Sequence, residues 1–263
     1  MIDTHCHLSM VLDENRNINF NQIDEILKQM ETNGVTHAIT IGSNMEDSKI
    51  SVEIAKRYNN IYCAVGVHPE EVKGFDIDEL EGLIKVNLDS GKLIAIGEIG
   101  LDYYWRKDNK AEQIEIFKQQ IELAKKYKLP IVVHCRDAYG DVLDVLKQYA
   151  PFDNGGVIHC YSGSIEWAKE VIKLGFLISF TGIVTYSNAN NVQEVAKWVE
   201  DDKFMVETDS PFLTPVPFRG KKNNPSYVKY TLEYISKLKN KDIQNLDKIT
   251  TKNTIKLFNL KIN

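Results

Sequence analysis

Two histidines at the start of the chain, His5 and His7, have the residue type and the spacing of metal ligands. Successive side chains of an extended strand point to opposite faces, so both imidazoles would lie on one face and Cys6 on the other. A pair of imidazoles can hold one metal ion but leaves its coordination shell incomplete. The pattern therefore predicts that further His, Asp or Glu side chains lie beside this pair.

Residues with the same chemistry recur where later predicted strands end. They are Glu98, His134, His159 and Asp209. Taken singly, each is more often a hydrogen-bonded core residue or a helix cap than a ligand. Among the six histidines, however, only His37 falls at the start of a strand, where we assign it a structural role. Such a concentration at strand ends favours one shared site.

The stretches between these residues repeat one pattern, in which apolar strand-like runs alternate with helical apolar spacing. After the opening strand, the predicted strands are 37–41, 61–67, 93–98, 131–134, 156–159, 176–180 and 204–209. Parallel strands covered by helices close into a barrel when the unit occurs eight times. We therefore predict an α/β fold, a (β/α)₈ TIM barrel, with a metal site at the C-terminal rim of the strands.

Length and composition agree with one domain of this kind. The chain has 263 residues, of which 43% are hydrophobic and 26% charged, and no linker or repeat divides it, so we expect a single domain over 1–263. There is no apolar run of ~18 residues and no signal-peptide pattern, which predicts a cytoplasmic protein without membrane contact. The net charge of −5 argues against a long basic track for duplex DNA.

The candidate ligands outnumber those that one ion needs. In a closed barrel the following six side chains converge: His5, His7, Glu98, His134, His159 and Asp209. One ion takes three or four protein ligands, so the set predicts two divalent ions about 3.5–4 Å apart. We expect Glu98 to bridge them, with His5, His7 and Asp209 on one ion and the other two histidines on the second. The mixed ligands leave the metal open among Zn, Mn, Mg, Ni and Fe.

Further residues near the rim are candidates for substrate contact. His68, Arg136 and Arg219 can hold a non-bridging phosphate oxygen, although Arg136 has an alternative partner in Asp137 or Asp102. The basic loop that contains Arg219 is equally well explained as a solvated surface loop.

Two carboxylates and one aromatic loop accompany these candidates. Asp3 and Glu207 lie one step deeper than His5 and Asp209, where we expect them to accept ring N–H groups of the ligand imidazoles. The aromatic run 103–105 would either stack a terminal base or pack its loop, and we interpret two of its three residues as packing.

Six sequence blocks resemble the TatD family of metal-dependent hydrolases, in the amidohydrolase-like superfamily. The blocks are Asp3–Leu8, Gly66–Pro69, Gly97–Tyr103, His134–Ala138, His159–Tyr161 and Glu207–Pro211. In that family, the residues matching the six candidate ligands bind divalent metals. Many binuclear amidohydrolases use a carboxylated lysine as the bridge, so Glu98 favours the TatD branch. The resemblance implies DNA hydrolysis, including exonuclease action from the 3′ end.

The sequence thus predicts a metal-dependent hydrolase of phosphodiester bonds, a deoxyribonuclease with 3′–5′ exonuclease action. Metal-activated water would attack phosphorus, with Asp209 as the general base and Glu98 as the bridging catalytic carboxylate. The expected partner is DNA or another phosphodiester substrate with single-stranded ends, and a monomer is the default because no heptad pattern appears.

Two alternatives to a nuclease stay open. One is an ester or amide hydrolase, for example acting on an aminoacylated RNA end. The other is a binding protein with a structural metal, although structural sites are usually closed shells of cysteine and histidine.

Overall fold

The computed structural model describes residues 1–262 and alternates strands with helices. The strands are β1 (Ile2–Cys6), β2 (His37–Ile41), β3 (Ile61–Val65), β4 (Leu93–Asp102), β5 (Ile131–Arg136), β6 (Gly156–Ile158), β7 (Phe176–Phe180) and β8 (Phe204–Val206). The α-helices are α1 (Phe20–Thr32), α2 (Met45–Arg57), α3 (Ile77–Asn87), α4 (Lys110–Tyr127), α5 (Tyr139–Tyr149), α6 (Ile165–Lys173), α7 (Asn190–Trp198), α8 (Val228–Lys239) and α9 (Ile243–Phe258).

The eight strands form one parallel sheet, and their order in the sheet follows their order in the chain. The segment after β8 closes this sheet against β1. The amide of Asp209 donates to the carbonyl of His5 at 2.8 Å, and the amide of His7 donates to the carbonyl of Ser210 at 2.8 Å. The predicted (β/α)₈ barrel is therefore confirmed, and its closing hydrogen bonds involve the same residues that we expected at the metal site.

Two apolar clusters surround the strands on opposite sides. The outer cluster packs strand residues such as Ala38 against helix residues such as Ile54 and Phe117. The inner cluster includes Ile39 and other strand residues of alternate parity, together with residues from the C-terminal end of the chain. Because neighbouring strand residues belong to different clusters, the barrel interior is a packed core. The polar rim is built on top of that core.

Strand β4 is longer than the sequence pattern predicted, since it continues past Glu98 to Asp102. Gly100 makes this extension possible. It has a φ of 144°, and a Cβ atom at this position would lie 2.0 Å from the carbonyl oxygen of His134. Only glycine permits β4 and β5 to approach so closely here. The close approach places both acidic side chains of β4 beside His134.

The cysteines are free thiols. Cys6, Cys135 and Cys160 each directly follow a candidate ligand histidine, so strand alternation predicts that they face away from the site as small buried residues. Cys6 and Cys135 are buried as predicted, but Cys160 is only half-buried. Cys160 has a left-handed backbone with a φ of 46°, so it is not part of the extended strand. The alternation of side chains along a strand therefore does not determine where Cys160 points. Within residues 1–262, none of the helices has the length and apolar character required to cross a membrane.

Candidate metal centre

Glu98 lies at the middle of the polar rim, and its two carboxylate oxygens face different histidines. Oε1 lies 2.9 Å from His134 Nδ1 and 2.6 Å from His159 Nε2. Oε2 lies 3.3 Å from His5 Nε2 and 3.9 Å from His7 Nε2. One carboxylate therefore contacts imidazoles from β1, from β5 and from the residue after β6. This geometry divides the site into two halves that share Glu98.

Asp209 belongs to the half that contains β1. Its Oδ1 atom lies 3.3 Å from His7 Nε2 and 3.6 Å from His5 Nε2. The residue has a φ of 56°, a left-handed conformation that aspartate tolerates better than most residues. The turn after β8 thereby directs the carboxylate back over the barrel mouth. The structure thus brings together all six sequence-predicted ligands.

The donor atoms of this centre meet the first requirement of a metal site, which is mutual proximity. Among residues 1–262, three groups have donor atoms within 4.8 Å of one another: His5 with His159 and Asp209, His5 with His7 and Glu98, and His68 with Glu98 and His134. Nitrogen and carboxylate oxygen donors in such groups suit divalent transition metals.

The ring orientation of His7 meets the second requirement, which is that a lone pair points into the site. His7 Nδ1 contacts the carbonyl oxygen of Ile41 at 3.0 Å. A carbonyl only accepts, so the proton is on Nδ1 and the Nε2 lone pair faces the site. His7 Nε2 also lies 3.3 Å from His5 Nε2. These two nitrogens lie close to each other and to the carboxylates of Glu98 and Asp209, a donor set that fits a divalent metal.

The charges of the side chains in the centre also indicate a site for a cation. Burial raises the pKa of Glu98, but the imidazoles of His159, His68 and His5 outweigh burial and hold that pKa well below its usual value. Burial lowers the pKa of His159, yet Glu98 and Glu207 outweigh it and raise that pKa well above the ordinary value. The carboxylates thus favour positive charge within the site, and a divalent cation supplies it.

Asp102 is a functional candidate that the sequence reasoning missed. It is buried, and its Oδ2 atom lies 3.0 Å from His134 Nε2, on the ring edge away from Glu98. Carboxylates that accept the second ring N–H of a ligand histidine orient the ring and strengthen the ligand. Asp102 lies four positions after Glu98, so strand alternation puts both side chains on the same face once β4 is known to continue to Asp102.

Replacing Asp102 by asparagine is expected to weaken metal binding by about 10- to 100-fold, because the neutral amide holds the His134 ring less firmly. The measurement is a calorimetric titration of the metal-free protein with a divalent ion. Asp108→Asn is the matched control, since Asp108 is an exposed aspartate in the loop that follows β4. Equal metal affinity in the two variants would contradict the orienting role of Asp102.

His68 lies beside the centre but presents a different chemical group. Its Nδ1 atom accepts the amide hydrogen of Glu70 at 3.2 Å, which leaves the proton on Nε2. That N–H group is directed toward the centre, with Nε2 3.6 Å from Glu98 Oε1. Burial, with a contribution from His134, lowers the pKa of His68 to about 3, so the ring is neutral. A hydrogen-bond donor fits this geometry better than a ligand.

Arg136 and Arg219, the two arginines that we expected to contact phosphate, both lie against aromatic rings. The guanidinium of Arg136 is 4.1 Å from the ring centroid of Tyr104, and that of Arg219 is 4.2 Å from the centroid of Tyr186. Both side chains are exposed, and neither makes a salt bridge within residues 1–262. The alternative pairing of Arg136 with a neighbouring aspartate is therefore not seen in the described part of the chain.

The two deeper carboxylates have different partners. Glu207 Oε1 lies 3.3 Å from His159 Nδ1 and accepts the amide hydrogen of Cys160 at 2.6 Å, close to the role that we expected. Asp3 instead accepts hydrogen bonds from the amide and the hydroxyl of Thr208, at 2.9 and 2.5 Å. Asp3 thus holds the backbone immediately before Asp209 rather than an imidazole, because the Thr208 side chain lies between the two strands.

Comparisons with known proteins agree with this fold and site. A family model described as TatD related DNase matches residues 2–259. The metal-dependent hydrolase YabD of Bacillus subtilis is 39% identical over 260 residues, which cover 99% of each chain. YJJV, a TatD homologue from Escherichia coli, has a TM-score of 0.89 at 26% identity over 98% of each chain.

A second solved structure has a similar fold. A TatD family hydrolase from Entamoeba histolytica has a TM-score of 0.85 at 25% identity, covering 98% of this chain and 97% of the other. These matches extend over nearly the whole length of this chain, and the range of the family model includes all six candidate ligands. The chain is therefore a metal-dependent hydrolase and belongs to the TatD-related DNase family.

Proposed function

We propose that this hydrolase cleaves phosphodiester bonds of DNA and removes nucleotides from the 3′ end of single strands. The observation that carries the proposal is the position of Glu98 between two sets of histidines, with an open side toward solvent. On that side, the side chains of His134 and Asp209 are 16% and 15% exposed, whereas His5 is fully buried. A phosphate group can therefore reach the centre where these two side chains are exposed. The family match and the resemblance support DNA as its source.

The six residues around Glu98 would hold two divalent ions. We assign His5, His7 and Asp209 to one ion and His134 and His159 to the other, with Glu98 shared, because the two oxygens of Glu98 face these two sets. When bound, the ions supply a water molecule of lowered pKa and offset the charge of the phosphate.

Asp209 is the proposed general base. Burial raises the pKa of Asp209, but its hydrogen bond to His7 and the charges of His5 and His7 outweigh burial and keep that pKa below its ordinary value. The carboxylate is therefore ionised at neutral pH and can accept a proton. It would orient the attacking water and take its proton as the new P–O bond forms and the bond to the leaving oxygen breaks.

His68 is the proposed contact for a non-bridging phosphate oxygen. Its Nε2–H group points to the centre, and a neutral donor binds an anionic oxygen without competing for a cation. Arg136 and Arg219 add positive charge at the rim, where their exposed guanidinium groups can reach phosphates further along a strand. With one donor at the centre and two arginines at the rim, the contacts with nucleic acid would be local rather than extended. Local contacts agree with the net charge of −5.

Removal of divalent metal tests whether cleavage depends on metal ions in the candidate centre. The wild-type protein, with its metal content measured, is incubated with a 5′-labelled single-stranded oligonucleotide and, in parallel, with a neutral aryl ester. We expect progressive shortening of the oligonucleotide, loss of this activity after chelation, and recovery when a divalent ion is returned, because the six ligands bind the ions that activate water.

The parallel arms separate the alternatives. Cleavage of the ester without cleavage of the oligonucleotide would replace the nuclease by an ester or amide hydrolase. A labelled product that appears at once as a mononucleotide would reverse the proposed polarity, because the label is at the 5′ end. If neither substrate is cleaved with any of several divalent ions, the remaining alternative would be a binding protein with a structural metal.

A further inference from the structure

Large apolar side chains are exposed on the rim beside the candidate centre. The large hydrophobic residues most exposed among residues 1–262 are Val86, Tyr104, Trp105, Trp198, Phe212 and Val216. Four of these six follow β4 or β8, the strands that position Glu98 and Asp209. Exposed aromatic groups next to a reaction centre are typical of a binding surface rather than of random surface composition.

The densest part of this surface lies on the loop after β4. Tyr104 is 48% exposed and Trp105 is 60% exposed, and their rings meet edge to face at 4.8 Å. The Arg136 guanidinium lies over both rings, 4.1 Å from the first centroid and 5.5 Å from the second. Tyr103 differs, because it is buried and donates its hydroxyl to Asp141. Packing therefore explains one of the three aromatic residues, not two as we expected.

Asp102 connects these rings to the metal centre. One of its oxygens, Oδ1, accepts the amide hydrogens of Tyr104 at 2.9 Å and Trp105 at 2.8 Å. The other oxygen contacts His134 Nε2 at 3.0 Å. A single buried carboxylate thus sets the position of both the aromatic turn and a proposed ligand. The two rings are thus held at a defined place next to the centre while remaining exposed to solvent.

We propose that Tyr104, Trp105 and Arg136 form an aromatic platform that stacks an unpaired nucleobase of the substrate strand. The inference rests on the proposed DNA hydrolysis and extends it to how the strand is held. A base stacks on an aromatic ring whatever its sequence, and the guanidinium adds attraction both to the ring system and to the neighbouring phosphate. Bases within a duplex are covered by their neighbours, so the platform selects single-stranded ends.

The test measures binding separately from cleavage. In an Asp209→Asn background, which slows turnover, the affinity for a fluorescent oligothymidylate is compared with that for an abasic oligomer of equal length and charge. We expect tighter binding of the strand with bases. Adding Trp105→Ala should lower affinity for oligothymidylate by about 5- to 100-fold and leave the abasic strand unchanged, whereas Trp105→Phe should retain most of the preference.

Trp198→Ala is the matched control, because Trp198 is also an exposed tryptophan beside a cationic side chain, here Lys169, but lies at the end of α7. It should retain the full preference for bases. An unchanged preference in Trp105→Ala, or no preference in the parent, would overturn the platform. If the wild type cleaves DNA and Trp105→Ala has the same KM, the platform fails and the nuclease stands. If base-selective binding depends on Trp105 but no phosphodiester is cleaved, the nuclease fails and the platform stands.

Discussion

Replacing Glu98 by glutamine is expected to remove most bound metal and to lower phosphodiester cleavage on the order of 10⁴-fold. The physical reason is the position of this carboxylate between His159 Nε2 at 2.6 Å and His5 Nε2 at 3.3 Å. Glutamine has nearly the same shape but one weakly ligating oxygen and no charge. It cannot serve two cations at once, and it leaves the imidazoles without the negative charge that they surround. Metal analysis of the purified variant and cleavage of end-labelled DNA measure both effects.

Glu46→Gln is a suitable control for that variant. Glu46 is an exposed glutamate in the first turn of α2, at the same end of the barrel, and does not contact the centre. It should retain metal content and activity. Thermal unfolding of the metal-free proteins separates loss of metal from loss of fold. A folded Glu98→Gln variant that keeps the wild-type metal content would contradict the shared position assigned to Glu98.

The second large effect is expected for Asp209→Asn, which should retain part of its metal but lose cleavage by about 10²- to 10⁴-fold. Asparagine keeps an oxygen within reach of His7, and it tolerates the left-handed backbone at this position. It cannot accept a proton from water at neutral pH, so the chemical step suffers more than binding. Single-turnover cleavage, with metal content measured on the same sample, gives the two quantities.

Asp137→Asn is a control for the effect of an Asp-to-Asn change at a left-handed backbone position. Asp137 is an exposed aspartate with a φ of 53°, nearly the same as the 56° of Asp209, and it also follows a strand. We expect wild-type turnover from it. Near-normal cleavage by Asp209→Asn would remove the base role from Asp209. Complete loss of metal together with turnover would instead reduce Asp209 to a ligand.

The role of His68 shows how tertiary contacts refine a sequence prediction. Sequence position alone placed His68 near phosphate, and the same residue also satisfies the proximity criterion for a metal group with Glu98 and His134. The amide of Glu70 favours a hydrogen-bond donor over a metal ligand at His68, because it donates to Nδ1 and thereby leaves Nε2 protonated. Such a tautomer depends on the local turn after β3, which no spacing rule in the sequence specifies.

The aromatic loop is the part that the sequence described least well. The run 103–105 contains three adjacent aromatic residues, and the sequence does not indicate which of them are buried and which exposed. Their separation into one buried ring and two exposed rings follows from Asp102, whose carboxylate binds the amides of Tyr104 and Trp105. Because β4 was expected to end at Glu98, neither the turn nor the orientation of His134 by Asp102 was foreseen. Strand ends depend on partner strands, and here β5 extends the pairing as far as Asp102.

The sequence by itself determined the barrel and the set of six candidate ligands, because both depend on short-range periodicity and on the rule that parallel strands end at one rim. The tertiary structure decided which atoms meet at the site: which oxygen of Glu98 faces which histidines, the support of His134 by Asp102, and the contact of Asp3 with Thr208. These features arise from distances between residues far apart in the chain. Periodicity specifies which face a side chain occupies, but only packing specifies which atom it meets.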